Sequence, residues 1–220
     1  MDEFQSIFSE KPGNTSIVEQ EVTLTTNDPI RCKMYPLPYA TRETINSEID
    51  DMIKLDVIEK STSAYASPIV LVRKRDGSNR FCIDYRRLNK ATVFDPEPMA
   101  KANDIYAKLK GKRFFTKLDL SKGYWQIMVK DKDKHKTAFI APGKGRYQFR
   151  RMPFGMVNSA ATFNRLMREL FGDMVDIDSY IDDLLIYTDT WEEHLQVLRE
   201  VFRRIKAAGL TLKATMSDWV

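Results

Sequence analysis

The sequence predicts a mixed α+β fold, and three observations carry that prediction. Short runs of β-branched and aromatic residues alternate along the chain with segments of helical periodicity. Several of these runs are separated by only the few residues that a hairpin turn needs, and hairpins pair their strands antiparallel. The 220 residues are 43% hydrophobic and 30% charged, which suffices for the core of one domain or of two closely joined subdomains.

The first part of the chain combines an irregular segment with a helix and a hairpin. Residues 1–40 predict an extended lead-in, because PIRCKMYPLPY carries three prolines and little helical periodicity. A helix is predicted from Thr41 to Ile58, with Thr41 as its N-cap. Its apolar face consists of Ile45, Ile49, Met52 and Ile53. The strands SPIVLVRK and RFCIDY then flank an Asp-Gly step, which is a hairpin signal.

The middle of the chain continues the alternation of short helices and strands. A proline-containing linker, TVFDPEPM, leads to a short helix over about 103–109. Two strands, FFTKLDL and YWQIMV, follow on either side of SKG, and TAFI and RYQF form a second hairpin around PGKG. These strands supply the β part of the predicted fold.

Two helices and one strand pair are predicted in the last third of the chain. The first helix runs from Ser159 to Phe171 and stops at Gly172. The segment IDSYIDDLLIYT predicts a strand, a turn and a second strand. The last helix, Thr190 to Ala208, begins with a capping box. Its apolar stripe consists of Leu195, Leu198, Val201, Phe202 and Ile205.

Composition excludes several classes of protein. No long uncharged apolar run is present, so a membrane span is not expected. The N-terminus, MDEFQSIFSE, is acidic and lacks the apolar core of a secretory signal. The two cysteines, Cys32 and Cys82, are too few for a disulfide framework or a zinc site. We therefore expect an intracellular protein, in the cytoplasm or the nucleus.

Charge is distributed in blocks along the chain. Residues 1–72 hold 6 basic and 12 acidic side chains, residues 73–151 hold 22 and 8, and residues 152–220 hold 7 and 11. The basic middle block suggests a surface that faces a polyanion such as a nucleic acid. A solvated lysine-rich face explains the charge alone equally well.

Three aspartates stand out at the ends of apolar strands. Asp182 and Asp183 are adjacent and interrupt SYIDDLLIYT, and Asp119 ends the strand FFTKLDL. Taken alone, an exposed turn is the more common explanation of an Asp-Asp pair. If the two strands are neighbours, however, three carboxylates converge, and a hard divalent metal such as Mg²⁺ then offsets their repulsion. Such a cluster is the device for two-metal nucleotidyl transfer.

Four sequence segments, in this order and spacing, resemble the reverse transcriptase family. YIDDLLIYT resembles the YxDD box, and LDLSKGYWQI resembles the box of the first aspartate. RMPFGMVNSAATFNRLM resembles the template-positioning box, and SPIVLVRKRDGSNRFCIDYRRLN resembles the fingers segment. The MPFG and CIDYRRLN sequences are most similar to gypsy-like long-terminal-repeat retrotransposons. The resemblance covers about residues 20–213.

The resemblance implies a metal site and a triphosphate site. Asp119, Asp182 and Asp183 would hold two Mg²⁺ ions, for which Mn²⁺ can substitute. Cationic side chains and main-chain N–H groups would bind the incoming deoxynucleoside triphosphate. The side chains are those of Lys74 and Arg80, and the N–H groups are those of Lys122 and Gly123. Solvated charges in a hairpin are the alternative explanation of the two side chains.

The resemblance also implies residues that contact the sugar, the template and the primer. Tyr124 would lie under the sugar and exclude a ribose 2′-hydroxyl, while Trp125 is expected to be the core member of this aromatic pair. Phe154 and Gly155 would line the nucleotide pocket and the template path, although packing and turn formation are alternative roles. Tyr180 would lie near the primer end. The two histidines have no partners at metal-ligand spacing, and His194 is expected at the surface or in packing.

The fold implied is the fingers and palm of a right-handed polymerase, with an antiparallel palm sheet backed by helices. Residues 41–118 would be mainly fingers, and residues 119–213 mainly palm, with part of the fingers near 125–150. The partners implied are a primed RNA or DNA template, deoxynucleoside triphosphates and other parts of a polyprotein, with no membrane.

The sequence departs from the family after GLTLK. Residues 214–220 form a divergent tail where the family continues into a primer grip and a thumb, so we expect low affinity and processivity. The function expected is an RNA-directed DNA polymerase. The alternative is a catalytically incomplete, nucleic-acid-binding remnant of a retrotransposon polyprotein. An RNA-dependent RNA polymerase is disfavoured, because Tyr124 is a large residue at the sugar gate.

Overall fold

The computed structural model describes residues 2–73, 77, 79–98, 102–180 and 183–213. The chain divides into two units. The first unit contains Met1–Val18, Pro96–Ile127 and Ala160–Val220, and the second contains Glu19–Asp95 and Met128–Ser159. Within the described residues, no helix is long and apolar enough to cross a membrane.

The first unit is built on a three-stranded antiparallel sheet. Its strands are β5 (Phe114–Asp119), β9 (Ile177–Tyr180) and β10 (Asp183–Thr188), in the order β5-β10-β9. Its helices are α3 (Ala102–Leu109), α4 (Ser159–Phe171) and α5 (Trp191–Ala207), and α5 packs on β10. The hydrophobic core includes Leu118, Phe163, Leu166, Leu184, Ile186, Val201 and Ile205.

The second unit is built on a five-stranded sheet. Its strands are β2 (Ile58–Lys60), β3 (Ser67–Arg73), β4 (Asn79–Ile83), β7 (Phe139–Ala141) and β8 (Gly145–Phe149). They lie in the order β2-β8-β7-β3-β4, and only β3 and β7 are parallel. Its other elements are α1 (Arg42–Lys54), α2 (Arg86–Ala91) and the 3-10 helix Asp131–Thr137.

Both hairpins predicted from the sequence form in the second unit. β3 pairs with β4, and β7 pairs with β8, in each case antiparallel. Two short strands, β1 (Thr15–Gln20) and β6 (Ile127–Val129), form a separate two-stranded sheet. The predicted α+β class is therefore present in both units.

The N-terminal segment is more regular than the extended lead-in that its prolines predicted. A 3-10 helix, Asp2–Ile7, packs on α5, where the rings of Phe4 and Phe202 lie 5.6 Å apart. The next residues pair with the segment that follows α5. The Ser9 N–H donates to the Leu212 carbonyl oxygen at 2.9 Å, and the Leu212 N–H donates to the Ile7 carbonyl oxygen at 2.7 Å. The two ends of the described chain thus share one edge of the first unit.

The predicted apolar faces of α1 and α5 each contain one residue that is exposed in the structure. Ile53 is 44% exposed, because α1 ends at Lys54 and the chain then turns through Asp56, whose φ is 56°. Leu195 is 48% exposed, whereas its neighbour His194 is buried. The capping box of α5 forms as predicted, since the Thr190 hydroxyl accepts from Glu193 N–H and Glu193 accepts from Thr190 N–H.

The predicted strand YWQIMV is correct only in its second half. Gly123–Gln126 forms a 3-10 turn, and the strand begins at Ile127. The turn arises because Lys122 adopts a left-handed conformation with φ 51°, so that Trp125 N–H donates to the Lys122 carbonyl oxygen at 2.7 Å. Without strand alternation, Tyr124 and Trp125 are both half-buried, and the prediction that Trp125 alone is the core residue is wrong.

Candidate active site

Two of the three predicted catalytic aspartates face each other across adjacent strands. Asp119 ends β5 and Asp183 begins β10, and the antiparallel register makes them direct partners. Residues in direct register lie on the same face of a sheet, with Cβ atoms about 4.5–5.5 Å apart. Both aspartates are only partly buried. Their carboxylates therefore share one solvent-accessible face.

The opposite face of the same strands is buried against α5. Leu118 is 5% exposed and Leu184 is 1% exposed, and each alternates with an aspartate along its strand. Burying these alternate residues fixes the register, because a slip of one position would turn the aspartates into the core. The apolar stripe of α5 thus determines which face carries the carboxylates.

His194 ties the two strands together from the buried face. Its Nε2 lies 2.7 Å from the Thr116 hydroxyl on β5, and its Nδ1 lies 3.0 Å from the Thr188 hydroxyl on β10. Because the Thr188 hydroxyl donates to the Thr190 carbonyl oxygen, its oxygen accepts from Nδ1–H. In the neutral ring, which burial favours over the charged form, Nε2 then accepts from the Thr116 hydroxyl. Burial lowers the pKa of His194 below its ordinary value.

Each carboxylate of the pair is matched by a lysine of the same unit. Lys117 Nζ lies 2.9 Å from a carboxylate oxygen of Asp183. Lys213 Nζ contacts the carboxylate of Asp119, and its main-chain N–H donates to the Asp119 carbonyl oxygen at 2.9 Å. Neither lysine was predicted from the sequence to belong to the site. The i, i+2 spacing of Lys117 and Asp119 on a strand was the available signal for one of them.

The turn after Asp119 carries the residues predicted to bind triphosphate and sugar. Lys122 is exposed, Gly123 is buried, and the ring of Tyr124 packs 5.5 Å from the ring of Phe163 on α4. The turn is held by Gln126, whose side chain is fully buried. The Gln126 amide donates to the carbonyl oxygens of Ser121 and Thr211, at 2.9 Å each, and accepts from Thr211 N–H at 2.8 Å.

Three further described residues of the predicted site belong to the second unit. Arg80 is an exposed residue of β4, paired in register with Val72. Phe154 is 43% exposed, and Gly155 adopts φ 86°, which a residue with a Cβ rarely takes. The left-handed Gly155 is thus a turn residue, as the alternative explanation proposed.

Two asparagines shape the loop that contains Phe154 and Gly155. The Asn89 side chain donates to the Gly155 carbonyl oxygen at 2.8 Å and accepts from Val157 N–H at 3.0 Å. The Asn158 side chain donates to the Val93 carbonyl oxygen at 2.8 Å and accepts from Asp95 N–H at 3.1 Å. Each side-chain amide donates one hydrogen bond and accepts another, and these bonds hold the conformation of the loop. No local sequence pattern predicts these long-range contacts.

Some predicted site residues lie outside the described residues. These are Lys74 and Asp182, while Tyr180 is described only through its backbone, which is in register with Asp183. Within the described part of the chain, no group of three His, Cys, Asp or Glu side chains could hold a metal ion. The two described carboxylates are hard oxygen donors on one open face, which fits the ligand preference of Mg²⁺.

Three comparisons with known proteins agree on one family. A family model described as reverse transcriptase (RNA-dependent DNA polymerase) matches residues 72–219. The chain is 34% identical to the retrovirus-related Pol polyprotein from transposon opus of Drosophila melanogaster, covering 99% of this chain and 23% of that protein. It is 32% identical to the transposon Tf2-3 polyprotein of Schizosaccharomyces pombe, covering 92% and 15%. The chain thus spans less than a quarter of the length of these relatives.

Solved structures give the same result for the fold. The foamy viral protease-reverse transcriptase in complex with an RNA/DNA hybrid matches with a TM-score of 0.88 and 28% identity, covering 96% of this chain and 29% of that chain. The same enzyme in complex with dsDNA matches with a TM-score of 0.80 and 27% identity, covering 96% and 43%. These likenesses confirm the predicted fingers and palm fold and the relationship to retrotransposon polyproteins. The chain therefore belongs to the reverse transcriptase family.

Proposed function

We propose that this chain is an RNA-directed DNA polymerase domain, which adds deoxynucleotides to a primer 3′-hydroxyl. The hydroxyl loses its proton to solvent and its oxygen forms a bond to the α-phosphorus of the triphosphate. The bond from the α-phosphorus to the oxygen that bridges to the β-phosphorus breaks, and pyrophosphate leaves. The observation that carries this proposal is the register of Asp119 with Asp183 on the open face of the first unit, in a chain of this family.

The carboxylates would act by holding divalent metal. Two Mg²⁺ ions, when bound, would lower the pKa of the primer hydroxyl and neutralise the negative charge of the leaving pyrophosphate. Asp119 and Asp183 would be ligands, together with Asp182, whose position in the sequence next to Asp183 supports the assignment. The buried face behind the strands supports a rigid site, because the register leaves the carboxylates no alternative face.

The triphosphate would be bound by cationic side chains and main-chain N–H groups. Lys74 and Arg80 would pair with phosphate oxygens, and the main-chain N–H groups of Lys122 and Gly123 would add neutral donors. The left-handed conformation of Lys122 supports this role, since consecutive N–H groups around such a residue form a concave anion site.

Sugar selection would depend on Tyr124. Its ring packs on Phe163, and Phe163 is 1% exposed, so the tyrosine has a rigid backing. A fixed aromatic ring beneath the sugar excludes a 2′-hydroxyl by steric overlap. Phe154 and Gly155 would line the nucleotide pocket and the template path, and Tyr180 would lie near the primer end. The division into mainly fingers over 41–118 and mainly palm over 119–213, which the resemblance implies, also stays a prediction.

The nucleic-acid partner would be a primed RNA or DNA template. The foamy viral enzyme was solved with an RNA/DNA hybrid and with dsDNA, and this likeness supports the same partner class here. The second unit has 20 basic and 14 acidic residues, a net charge of +6, which supports attraction of a phosphate backbone.

The direct test is primer extension on a poly(rA) template with an oligo(dT) primer, in Mg²⁺ and in Mn²⁺. The control variant combines Asp182→Asn with Asp183→Asn, which keeps side-chain volume and removes charge. Extension by the natural chain and none by the control is the expected result. If the natural chain binds primer–template in a salt-sensitive manner but does not extend it, the polymerase proposal fails. The non-catalytic remnant is then the better description.

A further inference from the structure

We propose that Lys117 and Lys213 are built-in counter-cations of the carboxylate pair, which a divalent metal must displace in order to bind. This inference rests on the proposed function for the identity of the site. It goes further by assigning a role to two residues that the reaction does not require. Both lysines and both aspartates belong to the first unit.

The position of Lys117 follows from the strand register. Lys117 is two residues before Asp119 on β5 and is opposite Leu185 on β10, so it lies on the face of the carboxylates. Asp183 is its diagonal neighbour on β10. Diagonal Cβ atoms lie about 7–8 Å apart, a gap that a lysine side chain can bridge. The Lys117 side chain bridges this gap, and its Nζ lies 2.9 Å from a carboxylate oxygen of Asp183.

The position of Lys213 follows from its backbone. Leu212 bridges to Leu120, and Lys213 N–H donates to the Asp119 carbonyl oxygen at 2.9 Å. These contacts hold the backbone of Lys213 beside Asp119, so the ion pair does not depend on a long unsupported side chain. The two lysines approach the carboxylate pair from different segments of the chain.

The two ion pairs leave the described part of the site close to neutral without metal. Lys117 and Lys213 bring two positive charges to the two negative charges of Asp119 and Asp183. A divalent cation that binds these oxygens adds two more positive charges beside both ammonium groups. Because like charges in close proximity repel, the bound metal and the paired lysines oppose each other.

The ion pairs are open enough to break. The side chains of Lys117 and Lys213 are 51% and 41% exposed, and those of Asp183 and Asp119 are 41% and 28% exposed. Exposed pairs of this kind are weak, so each ammonium group can swing into water when the metal binds. A released ammonium group is then available to a phosphate oxygen. The lysines thus lower the affinity for metal alone and favour the binding of metal together with a polyanionic substrate.

The test measures metal binding by the full chain without nucleotide or nucleic acid. Free Mn²⁺ is counted by electron paramagnetic resonance for the natural chain, Lys117→Met, Lys213→Met and the double variant. Lys117→Arg keeps the charge, and Lys110→Met removes an exposed lysine elsewhere in the same unit. Asp119→Asn removes one carboxylate of the site, so the Mn²⁺ binding that this variant loses is the binding at the site.

The expected result is a lower Kd for Mn²⁺ in each methionine variant of the site. From the strength of exposed ion pairs, we expect about a two- to fivefold decrease for either lysine and about a tenfold decrease for both. Lys117→Arg and Lys110→Met should bind as the natural chain does. Equal or weaker Mn²⁺ binding by Lys117→Met and Lys213→Met overturns the inference, as does binding that Asp119→Asn leaves unchanged.

The same variants separate this inference from the polymerase proposal. Tighter Mn²⁺ binding without primer extension supports the counter-cations and contradicts the polymerase. Extension by the natural chain, with Kd values that do not respond to the lysines, supports the polymerase and contradicts the counter-cations.

Discussion

The two units of this chain differ in net charge and in the residues of the proposed site that they carry. The first unit has 15 basic and 17 acidic residues, a net charge of −2, and it carries the aspartate pair. The second has 20 basic and 14 acidic residues, a net charge of +6, and it carries Arg80 and the loop of Phe154. Carboxylates suit metal binding, and basic residues suit phosphate binding. The near-neutral total of +4 conceals this division.

The comparison predicts that changes in the first unit affect the chemical step most. Asp119→Asn should lower the rate of nucleotide addition by about a thousandfold, because a metal ligand supplies several kcal/mol of transition-state stabilisation. Primer–template affinity should stay within about threefold, since a carboxylate does not pair with the phosphate backbone. Single-turnover extension and anisotropy measure the two quantities. A variant that extends at the natural rate would contradict the assignment of Asp119.

A change in the second unit should instead affect substrate binding. Arg80→Ala should raise the KM for deoxynucleoside triphosphate by about 10- to 100-fold, the worth of a charge-assisted hydrogen bond. Steady-state kinetics across triphosphate concentrations measure it. Arg80→Lys is the matched control and should recover part of the loss, because it restores the charge without the guanidinium fork. If kcat falls and KM does not change, Arg80 acts in the chemical step and the division between the units is wrong.

The sugar gate gives a smaller effect that sharpens the same comparison. Tyr124→Ala should reduce the discrimination against ribonucleotides by about tenfold, because it removes the ring that overlaps the 2′-hydroxyl. The ratio of kcat/KM for dTTP and UTP measures discrimination. Phe163→Leu should give a partial loss, since it leaves the tyrosine but removes its aromatic backing. Unchanged discrimination in Tyr124→Ala would show that another residue faces the sugar.

The smallest predicted effect is a pH dependence of stability in the first unit. Burial lowers the pKa of His194 in the folded state, so the unfolded chain binds the proton more readily. The stabilisation is therefore complete above the unfolded pKa of about 6.5 and is lost as pH falls below it. Thermal unfolding at pH 7.5 and pH 5.5 measures the loss. His194→Gln should reduce stability by about 1–2 kcal/mol at pH 7.5 and should show a smaller acid-induced decrease than the natural chain.

The secondary structure was predictable where the signal is local. The capping box at Thr190, the stop at Gly172 and the Asp-Gly hairpin each depend on a few adjacent residues, and the corresponding elements are present. The approach of Asp119 to Asp183 was predicted on the condition that their strands are neighbours, and the register of β5 with β10 meets that condition. The helix α2 was missed, since its six residues are too few to show a clear period.

The contacts that position the site were not predictable, because they join residues far apart in the chain. Gln126 meets Thr211 across 85 positions, and Lys213 meets Asp119 across 94. His194 was expected at the surface or in packing, and it is buried because hydroxyl groups on two strands satisfy both ring nitrogens. Leu195 was placed in the core by periodicity alone, and it is half exposed because His194 takes the position that faces the sheet.

The shared edge of the two chain ends has a consequence for the order in which the protein is made. Ser9 and Ile7 cannot pair with Leu212 until about 200 further residues have left the ribosome, which takes roughly 10–40 s at ordinary synthesis rates. The second unit is complete in sequence at Ser159, well before that point. Phe4 and Ile7, which are buried in the folded protein, therefore remain exposed on the nascent chain until the segment around Leu212 has been synthesised. A chaperone that binds short apolar segments would find a target there.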